Sequence, residues 1–195
     1  MTQWEIVAAT PQISEHWLIP LLEELLAQFP FVIRGFHSDN GSEFVNYTVA
    51  RLLDKLLIEQ TRSRPHRCGD NGLVEAKNGA VVRKHMGFAH IAAEHAAAVE
   101  EFHRRHLNPY LNFHRPCAVA EVIEEPSGRR RRIHRRWATP FEIFQELPGG
   151  ESFLRPGLRM AELERFAASQ SDTEAAMEMQ RARRRLLAGI AKRSA

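Results

Sequence analysis

His37-Ser38-Asp39-Asn40-Gly41-Ser42-Glu43-Phe44 and Asp70-Asn71-Gly72-Leu73-Val74-Glu75-Ala76-Lys77-Asn78-Gly79 each set one acidic residue, Asp39 and Glu75, in a telling context. Between Asp39 and Glu75 lie 35 residues. The apolar run 31–36 predicts a buried strand that ends at His37, so Asp39 falls at the carboxyl end of a strand, where sites form in α/β sheets. Asn40 and Gly41 permit a tight turn beside it. Asn71 and Gly72 do the same before a helix expected over about 71–86, with Glu75 in its first or second turn, where the helix dipole favours an acid. Taken alone, Asp39-Asn40-Gly41 is a turn with a capping aspartate, and Glu75 is a first-turn helix glutamate. Taken together, they are two hard-oxygen donors of the kind that Mg²⁺ and Mn²⁺ prefer. Two such ions, about 4 Å apart, can activate an attacking oxygen and stabilise a leaving one.

Working outward, residues 3–9 read as a strand. Ser14 can cap a helix running to about Gln28, with Trp17, Leu18, Leu21, Leu22, Leu25 and Leu26 at helical spacing. A helix over about 43–57 presents Phe44, Val45, Val49, Leu52, Leu53 and Leu56, and residues 58–62 read as a short strand. A loop over 63–69 carries Arg64, His66 and Arg67, and a further helix is expected over 92–107. This alternation of strand and helix indicates an α/β layered domain. The stripes containing Trp4 and Trp17 read as core.

The composition changes after Pro116. Residues 118–137 predict a hairpin around Pro126-Ser127-Gly128, and its second arm, 129–137, holds six Arg and one His. Thr139-Pro140-Phe141-Glu142 is a capping box with Pro at the first helical position. Ser171-Asp172-Thr173-Glu174 is a second box, opening a helix to about Lys192 that is basic towards its end through Arg181, Arg183, Arg184 and Arg185. Two organisational units are expected, 1–116 and a basic extension over 117–195.

The 195 residues are 44% hydrophobic and 26% charged, a globular composition. Net charge is +3, with 23 Arg against 4 Lys. Arginine suits bidentate phosphate contacts, although a GC-rich coding sequence produces the same bias. Cys68 and Cys117 are the two cysteines and give no disulfide framework, which fits a reducing cytosol. No apolar run approaches the roughly 20 residues of a membrane span. The start of the chain does not have the pattern of a secretory signal. His66 with Cys68, or His103 with His106, lacks the second pair that a structural zinc site needs.

The sequence resembles the catalytic core of DDE-type transposases of bacterial insertion sequences, relatives of the retroviral integrases. The segment 37–44 is similar to the family's second-Asp motif. Ser63-Arg64-Pro65 followed by 70–78 is similar to the segment leading into its Glu, and the likeness continues through Asn108-Pro109-Tyr110-Leu111-Asn112-Phe113-His114-Arg115-Pro116. The 35-residue interval is also typical of that family. The resemblance implies a ribonuclease-H-like α/β fold, here lacking its first strand or strands, so that 1–116 is a partial catalytic core and 117–195 a basic C-terminal extension.

It further implies Mg²⁺ or Mn²⁺ as cofactor, Asp39 and Glu75 as second and third metal ligands, and DNA integration and transposition by phosphoryl transfer. The family's first Asp lies on an earlier strand. No residue here matches it: residues 1–38 contain no Asp, and their acidic residues are Glu5, Glu15, Glu23 and Glu24. The expectation is a chain that begins downstream of that strand and of the usual helix-turn-helix, and that is inactive alone. Relatives often place Lys or Arg seven residues after the Glu. That position here is Val82, and Arg83 and Lys84 follow it.

Expected DNA contacts are Arg62, Arg64, Arg67, Lys77, Arg83, Lys84, Arg129, Arg130, Arg131 and Arg132, against the bland reading of a solvated charged surface. Expected partners are transposon ends and target DNA, a second copy or a full-length transposase, and no membrane. The expected setting is the bacterial cytoplasm at the nucleoid. Two alternatives stay open: a non-catalytic DNA-binding or regulatory fragment, including the remnant of a decayed mobile element, and a general ribonuclease-H-like nuclease.

Overall fold

A computed structural model of the chain describes residues 2–38, 47–62, 77–125 and 128–193. Among the described residues its first segment pairs with no strand, contrary to the strand expected over 3–9. The partner is a helix. Asn112 Oδ1 accepts from the Glu5 amide at 2.9 Å, and Asn112 Nδ2 donates to the Glu5 carbonyl at 2.7 Å. Asn108 repeats the pattern on Val7 at 2.9 and 3.0 Å, and Glu100 Oε2 accepts from the Ala9 amide at 2.6 Å. Residues 5, 7 and 9 thus meet residues 112, 108 and 100, an extended chain's two-residue period laid along one helical stripe. Buried backbone polar groups must be paired, and side-chain amides do here what a neighbouring strand would otherwise do.

α1 is Glu15–Ala27, with Ser14 at its N-cap position although the side chain makes no capping hydrogen bond. β1 is Gly35–Ser38, α2 is Tyr47–Lys55 and β2 is Glu59–Arg62. β1 and β2 pair in parallel, Gly35 with Glu59 through Ser38 with Arg62, so a crossover carrying α2 joins them. Leu18, Leu22, Val49, Leu52, Leu53 and Ile58 form the core beneath, with Ile33 and Phe36 packed against it. The strand expected over 31–36 starts later, at Gly35. Phe31 instead bridges Leu154, and Val32 donates to the Phe153 carbonyl at 2.9 Å.

α2 ends with Leu57 in the left-handed region at φ 56°, its amide donating to the Asp54 carbonyl and the Ile58 amide to the Leu53 carbonyl. This is the pattern of a Schellman stop, a place where glycine is usual. Leu57 is 89% exposed, so its side chain gains nothing from burial.

α3 is π-helical over Asn78–Arg83 and continues as Lys84–Met86. α4 begins with a 3-10 turn, Ala93–His95, runs through Ala96–Phe102, and ends in the π-helical turns His103–Leu107 and Tyr110–His114. It therefore extends past the expected end at 107. Pro109 lies inside it between the two widened turns, which tolerate the missing amide donor better than a regular helix does. β3 is Cys117–Glu124 and β4 is Arg130–Ala138, the expected antiparallel hairpin.

α5, Pro140–Gln145, carries the complete capping box: Thr139 Oγ1 accepts from the Glu142 amide, and Glu142 Oε2 accepts from the Thr139 amide. α6 is Met160–Ala167 and α7 is Asp172–Arg193. The Ser171 hydroxyl accepts from the Glu174 amide, and Glu174 accepts in return from the Ser171 amide.

Two further clusters join the parts. Val81, Phe102, Leu107, Leu111, Met179 and Ala182 tie α3, α4 and α7 together, with Val7 against them. Phe141, Phe144, Met160 and Leu163 pack with Trp4, Phe31 and Phe113, so one aromatic cluster crosses the compositional boundary at 116/117. Trp4 meets Phe31 and Phe113 edge-on at 5.3 and 5.1 Å, an arrangement favoured by the ring quadrupoles.

Asn112→Ala strands the Glu5 amide and carbonyl together, and should lower the unfolding free energy by about 2–3 kcal/mol in urea titrations. Leu57→Gly relieves the left-handed backbone, and should raise it by about 1 kcal/mol in the same assay.

Candidate functional site

Asp39 and Glu75, the two expected metal ligands, lie outside the described residues, as do Arg64 and Arg67. Their described neighbours define the frame. Ser38, which directly precedes Asp39, is the last residue of β1 and pairs with Arg62, the last residue of β2. The chain therefore leaves for 39–46 and for 63–76 from the same carboxyl edge of one parallel pair. Ser38 is buried, and His37 Nδ1 lies 2.9 Å from Thr61 Oγ1 across the same edge.

Lys77, two positions after Glu75, is held. Its Nζ is 3.0 Å from Glu5 Oε2, and Arg115 Nη1 is 3.7 Å from the other Glu5 oxygen. Arg115 also donates to the Ala80 carbonyl at 3.3 Å. Lys77 is thus engaged by a carboxylate in the folded chain. The beginning of α3 is fastened to the first segment and to the end of α4 through one glutamate. The nearby Cys117 thiol is pushed up, chiefly by burial, with Glu5 adding to the shift and Lys77 and Arg115 opposing it.

At its other end α3 presents two exposed cations, Arg83 and Lys84, while Val82 is half-buried. The Arg83 guanidinium stands 5.6 Å over the ring of Phe88, which is 84% exposed, and Gly87, at φ 82°, makes the turn between them. A second such pair, Arg51 over Tyr47, lies on α2. Neither aromatic was singled out by sequence reasoning, because exposure is a property of tertiary packing.

The interior face of α3 carries His85, whose Nδ1 is 2.7 Å from the Val81 carbonyl. Arg183 of α7 donates to the His85 carbonyl, so α7 fastens the end of α3. His103, also buried, lies against this helix. Burial, with the charge of His85 adding, lowers its pKa to about 4. Burial is likewise the main cause that lowers His85.

Among the expected DNA contacts, Arg62 closes β2, and Arg129, Arg130 and Arg131 are exposed at and within the start of β4, which also contains Arg132. An apolar groove of about 590 Å³ runs along Leu26, Ile33, Leu56, Ile58 and residues 155–158. It lies at the amino ends of β1 and β2, away from the edge that leads to Asp39. Among the described residues, no group of three or more His, Cys, Asp or Glu could hold a metal ion, and no helix is long and apolar enough to cross a membrane.

Sequence reasoning missed the roles of Asn108 and Asn112. Their i, i+4 spacing was visible, but a polar stripe on a helix reads as a solvated face until its partner is known.

No protein-family model matches the chain. A protein of Sinorhizobium fredii (strain NBRC 101917 / NGR234), named uncharacterized protein y4rM, is 37% identical over 81 residues. The match covers 42% of this chain, and the chain covers 23% of that protein's length.

The histidines give a prediction. An unfolded histidine takes up a proton near pH 6.5, whereas folded His103 resists until about 4. Between those values the unfolded chain binds more protons, so stability rises with pH. The contribution is complete above 6.5 and lost as pH falls to about 4. Urea midpoints at several pH values should show the wild type losing up to ~1.4 kcal/mol per pH unit more than His103→Leu across that window.

Proposed function

We propose that this chain supplies two of the three carboxylates of a DDE-type transposase core, and that its parent enzyme cuts at a transposon end and joins the 3′-hydroxyl to target DNA. The observation that carries the reading is the register of β1 and β2. It sends the chain towards Asp39 and towards Glu75 from one carboxyl edge, and both residues stand in the motif contexts described above. The expected fold, a ribonuclease-H-like core, is compatible with a parallel βαβ unit over 35–62.

The donor chemistry of Asp39 and Glu75 fits a hard divalent cation, because both offer carboxylate oxygens. Glu5, the acidic residue fastened to the helix that follows Glu75, is engaged by Lys77 and Arg115. When bound, Mg²⁺ or Mn²⁺ would supply charge that stabilises the oxygens of a phosphoryl transfer. The chain's own part is to present Asp39 and Glu75 to the cation. Arg62, Arg64 and Arg67 would hold phosphate beside them, and Arg83 and Lys84, exposed on α3, would hold more distant backbone. DNA, a second copy or a full-length transposase, and a place at the bacterial nucleoid belong to the same proposal.

A second reading, a DNA-binding fragment without catalysis, draws support from the arginines of β4 and from Glu5 being taken up in ion pairs.

Calorimetric titration with Mn²⁺ separates the two. Weak binding that Asp39→Asn and Glu75→Gln each abolish supports the shared metal site, and binding unchanged in either variant contradicts it. The chain alone should give no strand transfer with Mg²⁺ or Mn²⁺, and robust strand transfer would contradict the assignment of two ligands out of three.

A further inference from the structure

β3 and β4 form a two-stranded ribbon, and packing alone does not explain it. An isolated hairpin is marginal in water and normally buries one face. Here, of the described residues from 117 to 137, none is fully buried; Cys117, Ala118, Val119, Ile123 and Ile133 are half-buried, the rest are mostly exposed, and full burial begins only at Ala138. Both strands are nevertheless fixed at the base: on the β3 side Gln3 Nε2 donates to the Ala118 carbonyl at 2.8 Å. Arg136 makes a two-pronged contact with Glu146, one arm at 2.6 Å, and Thr139 carries the capping box of α5. The ribbon is anchored at its root and open along its length, about 27 Å for the eight residues of β3.

Its charge is one-sided. β3 carries Glu121 and Glu124, opposite Ile133 and Arg130, whereas β4 and its approach carry all six arginines. Among the described residues, no ion pair joins Arg129, Arg130, Arg131 or Arg135 to a carboxylate. The ladder slips between Val119 and Ala120, so Arg135 is skipped in the pairing, and a bulge of this kind redirects a side chain and deepens the twist. Trp137, next to Arg136, is 69% exposed. Charge on an edge strand guards against edge-to-edge aggregation. That function has no use for an exposed tryptophan.

We propose that the β3–β4 ribbon is a contact element for B-form duplex DNA that lies in the major groove, with Arg129, Arg130, Arg131 and Arg135 on the flanking phosphates. The inference deepens the proposed function by naming how the extension meets DNA, and it rests on that reading only for the choice of DNA as partner. The major groove of B-DNA is about 12 Å wide and admits a two-stranded ribbon, whereas the major groove of A-form RNA is too deep and narrow for side chains to read. The ribbon therefore discriminates by duplex form.

Fluorescence anisotropy with labelled 20-base-pair DNA, the matching RNA duplex and single-stranded DNA tests this on the full chain. The DNA duplex should bind at least about tenfold more tightly than the RNA duplex. Arg130→Gln with Arg131→Gln should reduce the slope of log affinity against log salt by about 2, roughly one for each lost phosphate contact. Circular dichroism checks that the variant folds. Arg184→Gln with Arg185→Gln, on α7, should leave the preference for DNA over RNA duplex intact. Equal binding to both duplexes, tighter binding to single strands, no binding to the DNA duplex, or an unchanged salt slope in the β4 variant overturns the proposal. Asp39→Asn separates the two failures. If it keeps ribbon binding but the wild type shows no Mn²⁺ binding, the transposase reading falls and the ribbon stands. Mn²⁺ binding together with an unchanged slope has the reverse meaning.

Discussion

Two asparagine side chains on α4 do what a neighbouring strand would otherwise do, and the rest of the structure depends on them. Asn108 and Asn112 each close a pair of hydrogen bonds on the backbone of the first segment, and Glu100 adds a third anchor at Ala9. An amide side chain has one acceptor and two donors in a plane, so it can satisfy both the N–H and the C=O of an extended residue. Once residues 5, 7 and 9 are held this way, the side chains on and beside them take fixed places. Val7 enters the core of α3, α4 and α7, Trp4 closes on Phe31 and Phe113, and Glu5 reaches Lys77 and Arg115. The ladder thereby links the aromatic cluster of the C-terminal helices to the start of α3, which follows Glu75 in the chain.

The second constraint is parallel pairing. β1 and β2 can lie side by side in parallel only if a crossover returns the chain, and α2 is that crossover, stopped by an unusual leucine in the left-handed region. Parallel register has a consequence that antiparallel pairing would not have: the segments leaving the two strands depart from the same edge. α3 is then fastened at both ends, by Glu5 near Lys77 and by Arg183 at the His85 carbonyl, and His85 on its interior face and His103 of α4 are both buried. A helix pinned at both ends suits the role proposed for the segment before it, presenting one carboxylate to a cation shared with another.

Much of this was legible in the residues. Both capping boxes, the hairpin, the crossover helix and the strand over 58–62 followed from local chemistry, because each signal lies within a few residues of the element it sets. What was not legible depended on distant partners. Residues 3–9 read as a strand, but their partners are Asn112, Asn108 and Glu100 on one helix far along the chain. The run 31–36 is apolar enough for a strand, yet Phe31 is drawn to Leu154 and leaves only the later residues for β1. The helix expected over 92–107 runs on through Pro109 to His114 in the π-helical turns of α4. Of the expected site, Lys77 reads as a phosphate ligand in sequence and is found against Glu5, while Arg83 and Lys84 stand exposed. The carboxylates themselves were picked out by their sequence contexts, and the parallel frame adds the common edge from which both segments leave.

The central claim is that Asp39 and Glu75 share one divalent cation. Iron-directed backbone cleavage tests it most directly. Fe²⁺ takes the same hard-oxygen ligands as Mg²⁺ and Mn²⁺, and with ascorbate and peroxide it cuts the polypeptide next to wherever it is bound. The account predicts two cuts in the same molecule population, one beside Asp39 and one beside Glu75, both suppressed by excess Mg²⁺ and both lost in Asp39→Asn. Cleavage beside only one of them, or cleavage that persists in that variant, would contradict it.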